Sequence, residues 1–501
     1  MSMLRALATM TWLLGLLLAG VRCGTPVEGI AVLVNVANMP PQAQKVLVQI
    51  TVNSKVNTDQ PALVIPPGST SFAVGLTEGT AGTVQIQVDV VGDDGCLTVT
   101  GSTSLMLMTG VRRYDTSVDL VPSSACLLSI DVTGDGSVRA LLPGGLTPLC
   151  TSPCTLRADR NAVVSLTGAV GFASTAGAWG GACTGDISTP CSVTLAAGRS
   201  VTASFAPRTC SPDGVCLFPM PAGASVRTVL AVSSSGSTVT SVLAAGVGLY
   251  SNSAASPYTW SAVPNNLGTN PINSISQNNN ITSVIYQNGQ FSVSGNGYNL
   301  FSPITLPAGF GNVTGQDRRA GRFVVSDAGK VATIGSTTGT TVYTASAPLY
   351  AVEDNSSTNS TYVAGQGVWA TKDTGGAWIP VQPVPTTKTI YGLYLTGFGT
   401  NPGYAVGEGG MILQLRNGAW TVVDPGDGRT LRALWTDSGG SRLWAAGDGG
   451  VIRFYTLTQG TKTLSAPTSP APPNFTSVTG DSSSRQVWFA GPGSAIYGLK
   501  Y

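Results

Sequence analysis

Trp444-Ala-Ala-Gly-Asp-Gly-Gly-Val-Ile452 is the clearest copy of a phrase that recurs through the second half of the chain. Tyr404-Ala-Val-Gly-Glu-Gly-Gly-Met-Ile412 precedes it, and Trp488-Phe-Ala-Gly-Pro-Gly-Ser-Ala-Ile496 follows it. Weaker copies start at Tyr362, Phe323, Val284 and Leu243, so successive copies begin 39 to 44 residues apart. A fixed period near forty residues predicts one supersecondary unit repeated along the chain.

Each copy has the composition of a strand, a tight turn and a second strand. The apolar residues Trp444–Ala446 predict a buried strand, and Val451–Tyr455 predicts its β-rich partner. Gly447–Gly450 can adopt the positive φ angles of a tight hairpin. Leu431–Trp435 before the phrase predicts an innermost strand, and Ala419–Val423 in the preceding repeat predicts an outer one. Because a single four-stranded sheet cannot bury both of its faces, the repeats are expected to stack as the blades of a β-propeller.

The number of copies predicts seven blades and a particular closure of the ring. The last copy begins at Trp488, which leaves too few residues for a fourth strand. Leu217-Phe-Pro-Met-Pro221 precedes Leu243 by the same 26 residues that separate Trp378-Ile-Pro-Val-Gln382 from Tyr404. The segment near Leu217 is therefore predicted to supply the outer strand of the last blade, which removes the open sheet edges.

Residues 212–501 resemble the propellers grouped with bacterial neuraminidase repeats and with photosystem II stability-factor-like proteins. The segment Thr371-Lys-Asp373-Thr-Gly375-Gly-Ala-Trp378 fits their Asp-box pattern, S/T-x-D-x-G-x-x-W. In that family Asp boxes are turns that stabilise the fold. The resemblance therefore implies a structural role for Asp373 and Trp378.

The composition favours an all-β protein and excludes several classes of site. Of the 501 residues, 63 are glycine and only 10% are charged, which is typical of short strands joined by many turns. The net charge of +2 gives no electrostatic basis for binding nucleic acid. The sequence has no histidine, which excludes a Ser-His-Asp triad and any histidine-ligated metal.

The N-terminus predicts export. Arg5 and the apolar stretch up to Leu18 are typical of a signal segment and too short for a comfortable membrane span. Leu18-Ala-Gly-Val-Arg-Cys23 resembles a bacterial lipoprotein signal, although Val21 and Arg22 separate the usual triplet from the cysteine. We predict a signal peptide over residues 1–22 and a lipid anchor on Cys23. The alternative is a secreted soluble protein with an odd cysteine.

Two β modules are predicted between the signal and the propeller. Residues 23–122 contain short alternating segments such as Ile30–Val36 and Val84–Val90, which predict an immunoglobulin-like β-sandwich. Residues 123–208 resemble the bacterial surface repeats related to the internalin B-repeat, small β modules that act as spacers or stalks. Asp131 and Asp135 imitate part of a calcium loop without its glutamate, so a hairpin turn is predicted there. The propeller is assigned to residues 209–501.

The nine cysteines fit an exported protein with disulfide bonds. Sequence spacing suggests the close pairs Cys150/Cys154, Cys183/Cys191 and Cys210/Cys216, with Cys96/Cys126 as a longer pair. Cys23 is left over, which suits an anchor. Zinc is the competing interpretation for Cys-x3-Cys, and it is disfavoured by the missing histidine and the export signal.

The neuraminidase resemblance raises the question of catalysis. Such glycosidases use a tyrosine nucleophile paired with a glutamate, an acidic acid/base residue and an arginine cluster. The chain has four glutamates, of which only Glu353 and Glu408 fall in the propeller. Glu408 occupies a blade turn, so Glu353 is the only credible partner. We predict that the protein is not an enzyme and has no cofactor, with a secreted sialidase-like or lyase-like enzyme as the alternative.

A binding function is the main prediction. Alignment of the repeats brings six residues to one position near the start of the innermost strand: Arg227, Asn273, Tyr350, Tyr391, Arg432 and Thr476. Arginine and tyrosine are frequent in binding hot spots, and propellers often bind partners near their axis. We predict a lipid-anchored protein of the outer membrane or cell surface that binds an envelope or extracellular protein or a glycan. Adhesion, motility or secretion assemblies would suit it, and a purely structural stalk is the second alternative.

Overall fold

The computed structural model describes residues 30–501 except 41–44, 54, 57–62, 65–69, 77–80, 109, 234–238, 254–255, 279–280, 296–299, 319–321, 356–359, 374 and 397–402. The predicted signal segment and Cys23 lie outside these residues. The described secondary structure consists of β-strands and two short 3-10 segments, Glu408–Gly410 and Asp448–Gly450. This confirms the all-β class. Nowhere in the described ranges does a helix reach the length and apolarity that a membrane span requires.

Residues 30–122, the first unit, form two sheets around one hydrophobic core. Its described strands are β1 Ile30–Ala37, β2 Lys45–Val52, β3 Lys55–Val56, β4 Leu63–Val64, β5 Ser71–Leu76, β6 Gly82–Val91, β7 Leu97–Leu107, β8 Arg113–Asp119 and β9 Val121–Pro122. One sheet has the order β5-β1-β8, and the other has the order β3-β2-β6-β7-β9 with β4 paired to β2. Alternate side chains point inward, so that Val32, Val34, Ile86 and Val88 are fully buried, as expected of sheets with one face in a core.

Residues 125–207, the second unit, form another two sheets around a separate core. Its described strands are β10 Ala125–Thr133, β11 Gly136–Leu141, β12 Leu149–Cys150, β13 Cys154–Asp159, β14 Val163–Val170, β15 Ser174–Gly181, β16 Gly185–Asp186, β17 Cys191–Thr194 and β18 Arg199–Pro207. The sheet orders are β13-β10-β18-β15-β16 and β12-β11-β14-β17. The hairpin predicted around Asp135 is wrong, because β10 and β11 belong to different sheets. Asp135 Oδ2 instead accepts a hydrogen bond from Ala173 N at 2.6 Å at this crossing.

From residue 215 onward the described strands form seven antiparallel sheets. The strands are β19 Val215–Pro219; β20 Ser225–Ser233, β21 Val239–Ser253 and β22 Ser256–Ala262; β23 Ile272–Asn278, β24 Ile281–Tyr286, β25 Phe291–Ser294 and β26 Ser302–Pro303; β27 Val313–Gln316, β28 Phe323–Ser326, β29 Lys330–Ile334 and β30 Gly339–Thr344; β31 Leu349–Asn355, β32 Ser360–Gly365, β33 Trp369–Lys372 and β34 Trp378–Pro380; β35 Ile390–Leu395, β36 Gly403–Gly407, β37 Ile412–Arg416 and β38 Ala419–Asp424; β39 Leu431–Thr436, β40 Arg442–Gly447, β41 Ile452–Thr456 and β42 Gly460–Leu464; β43 Ser477–Asp481, β44 Gln486–Ala490 and β45 Ala495–Lys500.

The first strands of these sheets surround a common axis. β20, β23, β27, β31, β35, β39 and β43 contact one another in that order, and β43 contacts β20 again. This ring of inner strands makes the region a β-propeller. β19 pairs antiparallel with β45, with Leu217 opposite Tyr497, so the last sheet has the order β19-β45-β44-β43. We call these four strands the closing sheet.

The first sheet of the ring departs from the predicted pattern of four strands. It contains β20, β21 and β22 among the described residues. Its copy of the repeat phrase lies inside β21, which continues through Gly246-Val-Gly248. This copy lacks the acidic residue and double glycine that form the turn at Asp448–Gly450, so the strand is not interrupted at the predicted place.

The eight described cysteines form four disulfides, as their spacing suggested: Cys96–Cys126, Cys150–Cys154, Cys183–Cys191 and Cys210–Cys216. The prediction of disulfide bonds is confirmed. Cys150 and Cys154 are joined to each other, so neither thiolate is available for the zinc site considered above. Cys96–Cys126 connects the first unit to the second, and Cys210–Cys216 closes a loop before β19.

Candidate binding site at the propeller axis

A β-bulge occurs at the same place in six of the described inner strands. The strand register skips one residue near the start of each. The skipped residues are Arg227, Asn273, Thr314, Tyr350, Tyr391 and Arg432. A bulge removes a residue from the ladder and redirects its side chain. Five of the six predicted site residues are therefore bulge residues.

In five of the seven sheets, a glycine follows the apolar triplet and lies against the backbone at the start of the inner strand. A Cβ built on Gly447 would lie 1.9 Å from the carbonyl oxygen of Thr430, the residue before the inner strand β39, and no side chain can approach so closely. The equivalent glycines have the same close approach to a carbonyl oxygen: Gly246, Gly365, Gly407 and Gly491. The prediction that Gly447 provides a positive φ is wrong, because its φ is −172°. Gly449 and Gly450, with φ of 64° and 70°, provide the turn.

The six predicted residues all line one cavity of about 750 Å³ along the propeller axis. They are Arg227, Asn273, Tyr350, Tyr391, Arg432 and Thr476. Thr314 from the third sheet joins them, and the sequence alignment missed it. The available signal was the pattern of an apolar residue, any residue and glycine, which Val313-Thr-Gly315 shares with Ile390-Tyr-Gly392.

One side of the cavity mouth is a row of side chains in contact, namely Tyr350, Tyr391 and Arg432. The rings of Tyr350 and Tyr391 have centroids 5.3 Å apart, and the guanidinium of Arg432 lies 5.1 Å from the Tyr391 centroid. Asp448 accepts two hydrogen bonds from Arg432, at 2.5 Å from Nε and 2.9 Å from Nη2. This ion pair raises the pKa of Arg432, and burial raises the pKa of Tyr350. The row therefore joins side chains of three neighbouring inner strands, β31, β35 and β39.

The other side of the mouth is polar. Arg227 Nη1 lies 3.5 Å from Asn273 Oδ1, a long hydrogen bond between a half-buried arginine and an exposed asparagine. Thr476 Oγ1 donates to Arg227 O at 2.6 Å, and Thr314 Oγ1 donates to Leu349 O at 2.5 Å. Both threonine hydroxyls therefore join neighbouring inner strands. Of the six predicted residues, Thr476 serves as a link between sheets, while the five larger side chains are presented to the cavity.

The far end of the cavity contains a charged group that sequence analysis did not find. Arg318 follows β27 and reaches across the axis, where its Nη1 donates to Leu434 O of β39. Its guanidinium lies 5.7 Å from the Tyr394 ring, and its backbone N lies 3.4 Å from Glu353 Oε2. Burial lowers the pKa of Arg318, and Glu353 partly opposes this shift. Glu353 is only 1% exposed although it lines the cavity.

The two other acidic positions considered from the sequence are turn residues. Asp373 Oδ1 accepts a hydrogen bond from Ala377 N at 2.8 Å, and Trp378 stacks on Tyr343 with centroids 5.6 Å apart. This is the structural role that the Asp-box resemblance implied. Glu408 Oε2 accepts a hydrogen bond from Thr389 N at 3.1 Å, and this bond lowers the pKa of Glu408.

No family model matches the chain, and no curated protein matches it. Solved propellers resemble it in fold at low identity. A structure of YCF48 bound to a D1 peptide is 16% identical, with a TM-score of 0.44, and covers 57% of this chain and 96% of its own. The WD40 beta propeller domain of Doa1 is 13% identical with a TM-score of 0.46, over 57% and 96% of the two chains. A streptogramin B lyase structure is 13% identical with a TM-score of 0.44, over the same shares.

Proposed function

We propose that the protein is exported, is lipid-anchored at Cys23 and displays a seven-bladed propeller that binds a protein partner of the cell envelope or cell surface. Each of the seven sheets is one blade, and β19 closes the ring. The two N-terminal units are sandwich-like spacers between the anchor and the propeller. Such a protein would suit an adhesion, motility or secretion assembly, and a glycan is the other ligand class to be tested.

The arrangement of the cavity mouth carries this proposal. Tyr350, Tyr391, Arg432, Asn273 and Arg227 are bulge residues of different strands, and they meet at one opening. Tyrosine and arginine are the residue types most often found in binding hot spots, because they combine a large contact area with hydrogen bonding. The Asp448 ion pair and the contact between Tyr350 and Tyr391 restrain these side chains, which reduces the entropy lost on binding.

The same cavity supports binding rather than catalysis. Among the described residues that line it, Glu353 is the single carboxylate. The sialidase-like alternative needs a second acidic group as acid/base, besides the glutamate paired with its tyrosine nucleophile, and the described lining residues supply none. Glu353 is also buried, and its Oε2 lies 3.4 Å from the backbone N of Arg318. We therefore assign the cavity a ligand-binding role.

Intact mass of the protein from its native membranes tests the anchor. We expect a mature chain that begins at Cys23 and carries added acyl mass, and we expect Cys23→Ser to lose both the added mass and the membrane fraction. An unmodified mature chain in the culture medium would contradict the anchor and leave the binding site untouched.

A photo-crosslinking amino acid at the exposed rim position Asn288 tests the binding site. We expect it to capture an envelope protein, and we expect Tyr391→Ala and Arg227→Ala to reduce capture. Arg416→Ala, an exposed arginine on β37, is the matched control that should bind normally. Equal capture by all variants would contradict a site at the axis. Capture of a glycan instead of a protein, reduced by the same substitutions, would show that the ligand is a glycan.

A further inference from the structure

An aromatic side chain of the second unit packs into the closing sheet of the propeller. Phe172, in the turn between β14 and β15, is only 7% exposed. Its ring centroid lies 5.2 Å from that of Phe218 on β19 and 6.1 Å from that of Trp488 on β44. Tyr258 of β22 completes the cluster, 5.7 Å from Phe172. Phe172 thus contacts both the added strand and the sheet to which that strand is added.

Arg208 adds a cation–π contact and hydrogen bonds between the second unit and β19. Its guanidinium lies 4.1 Å from the Phe218 ring centroid, within cation–π distance. It donates to the carbonyl oxygens of Phe172 at 3.1 Å, Ser174 at 2.6 Å and Leu217 at 3.4 Å. Two of these acceptors belong to the second unit and one to β19. Arg208 therefore bonds to both sides of the contact.

The loop that leads into β19 is fixed on its other side. Cys210 and Cys216 form a disulfide across this loop. Asp213 between them accepts hydrogen bonds from Lys462 Nζ at 2.6 Å and from Ser465 N at 2.9 Å. These partners lie at the end of the sixth sheet, so the added strand is held by the second unit on one side and by the neighbouring sheet on the other.

We propose that the second unit acts as a clasp that keeps β19 in the closing sheet, so that closure of the propeller ring depends on the docking of residues 125–207. An added strand at the edge of a sheet is the element that opens most easily, because it is bonded to the ring through one ladder alone. The contacts of Phe172 and Arg208 fall on that strand. This clasp goes beyond ligand binding at the axis, since it concerns the opposite, outer edge of a blade.

Hydrogen exchange on the full chain tests the clasp. In Phe172→Ala and Arg208→Ala we expect the amides of β19 and β45 to exchange about tenfold faster or more, because their opening no longer breaks the clasp contacts. Exchange in β39, on the sixth sheet, and in β10 and β18, in the core of the second unit, should stay unchanged. The matched controls are Leu149→Ala and Arg139→Ala, two exposed positions of the second unit.

Two results would overturn the clasp. One is unchanged exchange in β19 in a folded Phe172→Ala protein. The other is an equal rise in all sheets, which would indicate a general loss of stability. If Phe172→Ala does not fold, Arg208→Ala decides, because it removes the polar bonds and leaves the aromatic cluster in place.

Discussion

At the scale of single residues, the repeat phrase encodes packing constraints more than turn geometry. Gly447 is required because its missing Cβ allows Thr430 O to approach, and that approach accompanies the bulge at Arg432. The bulge in turn directs Arg432 into the cavity. A structural glycine and a candidate binding residue are therefore two parts of one local arrangement.

Gly447→Ala tests this link. A Cβ 1.9 Å from Thr430 O forces the two strands apart, so we expect a loss of about 2 kcal/mol or more in the free energy of unfolding. Gly439→Ala is the control, since a Cβ there meets nothing within 4 Å. Urea denaturation measures both. Equal stability of the two variants would contradict the steric account.

Tyr404 gives a second prediction at this scale. Its hydroxyl donates to Gly440 O at 2.9 Å and accepts from Gln414 Nε2 at 3.1 Å in a fully buried place. Tyr404→Phe leaves Gly440 O and Gln414 Nε2 without this hydroxyl group. We therefore expect the free energy of unfolding to fall by about 1–3 kcal/mol. Burial raises the pKa of Tyr404 to about 12, above its ordinary value of 10.0. The wild-type stability should therefore fall as the pH rises from 10 to 12, and Tyr404→Phe should lack this component of the fall.

At the scale of elements, the forty-residue period predicted the propeller strands well. Leu431–Trp435 is the inner strand β39, and Ala419–Val423 lies within the outer strand β38, because their apolar patterns are local and regular. The bulges were not predicted, although alignment of the repeats brought five of their residues to one position. The role of Arg318 and the docking of Phe172 could not be predicted at all. Each depends on contacts between residues far apart in sequence, such as Arg318 with Leu434, and such contacts leave no periodic signal.

The loop before β19 provides a pH-dependent prediction. Hydrogen bonds from Lys462 and Ser465 hold the pKa of Asp213 well below its usual range. A carboxylate with a lowered pKa contributes stability above its unfolded value of 3.8, and the contribution is lost as the pH falls further. Asp213→Asn should therefore be less stable than wild type at pH 7, and the difference should shrink as the pH falls below 4. A difference independent of pH would contradict this role of the charge.

At the scale of the whole molecule, the first and second units are joined by a buried ion pair. Asp89 of the first unit is completely buried, and Arg157 of the second unit donates to its Oδ2 from Nε at 2.7 Å and from Nη2. Thr100 Oγ1 donates to the same carboxylate at 2.6 Å. A protein is strongly destabilised when a buried carboxylate loses its cation. We therefore expect this junction to contribute to the stability of the fold.

Arg157→Ala tests the junction. We expect this substitution to lower the free energy of unfolding by about 3–5 kcal/mol, because Asp89 would remain buried without its positive partner. The double variant Asp89→Asn with Arg157→Met should recover much of the loss, and Arg139→Ala serves as the exposed control. Thermal unfolding followed by circular dichroism measures all three. A neutral Arg157→Ala would contradict a stabilising role of the Arg157–Asp89 ion pair.

The pairing of β19 with β45 also limits when the propeller can finish folding. Leu217 leaves the ribosome long before Tyr497, its partner across the ladder. Until β45 is synthesised, β19 has no strand to join, and the ring keeps an open edge on which other chains could add. The described strands of the two N-terminal units, in contrast, pair within their own unit, so these units can fold early. A truncation within β45 leaves that edge open, so we expect the truncated protein to aggregate, which size-exclusion chromatography measures.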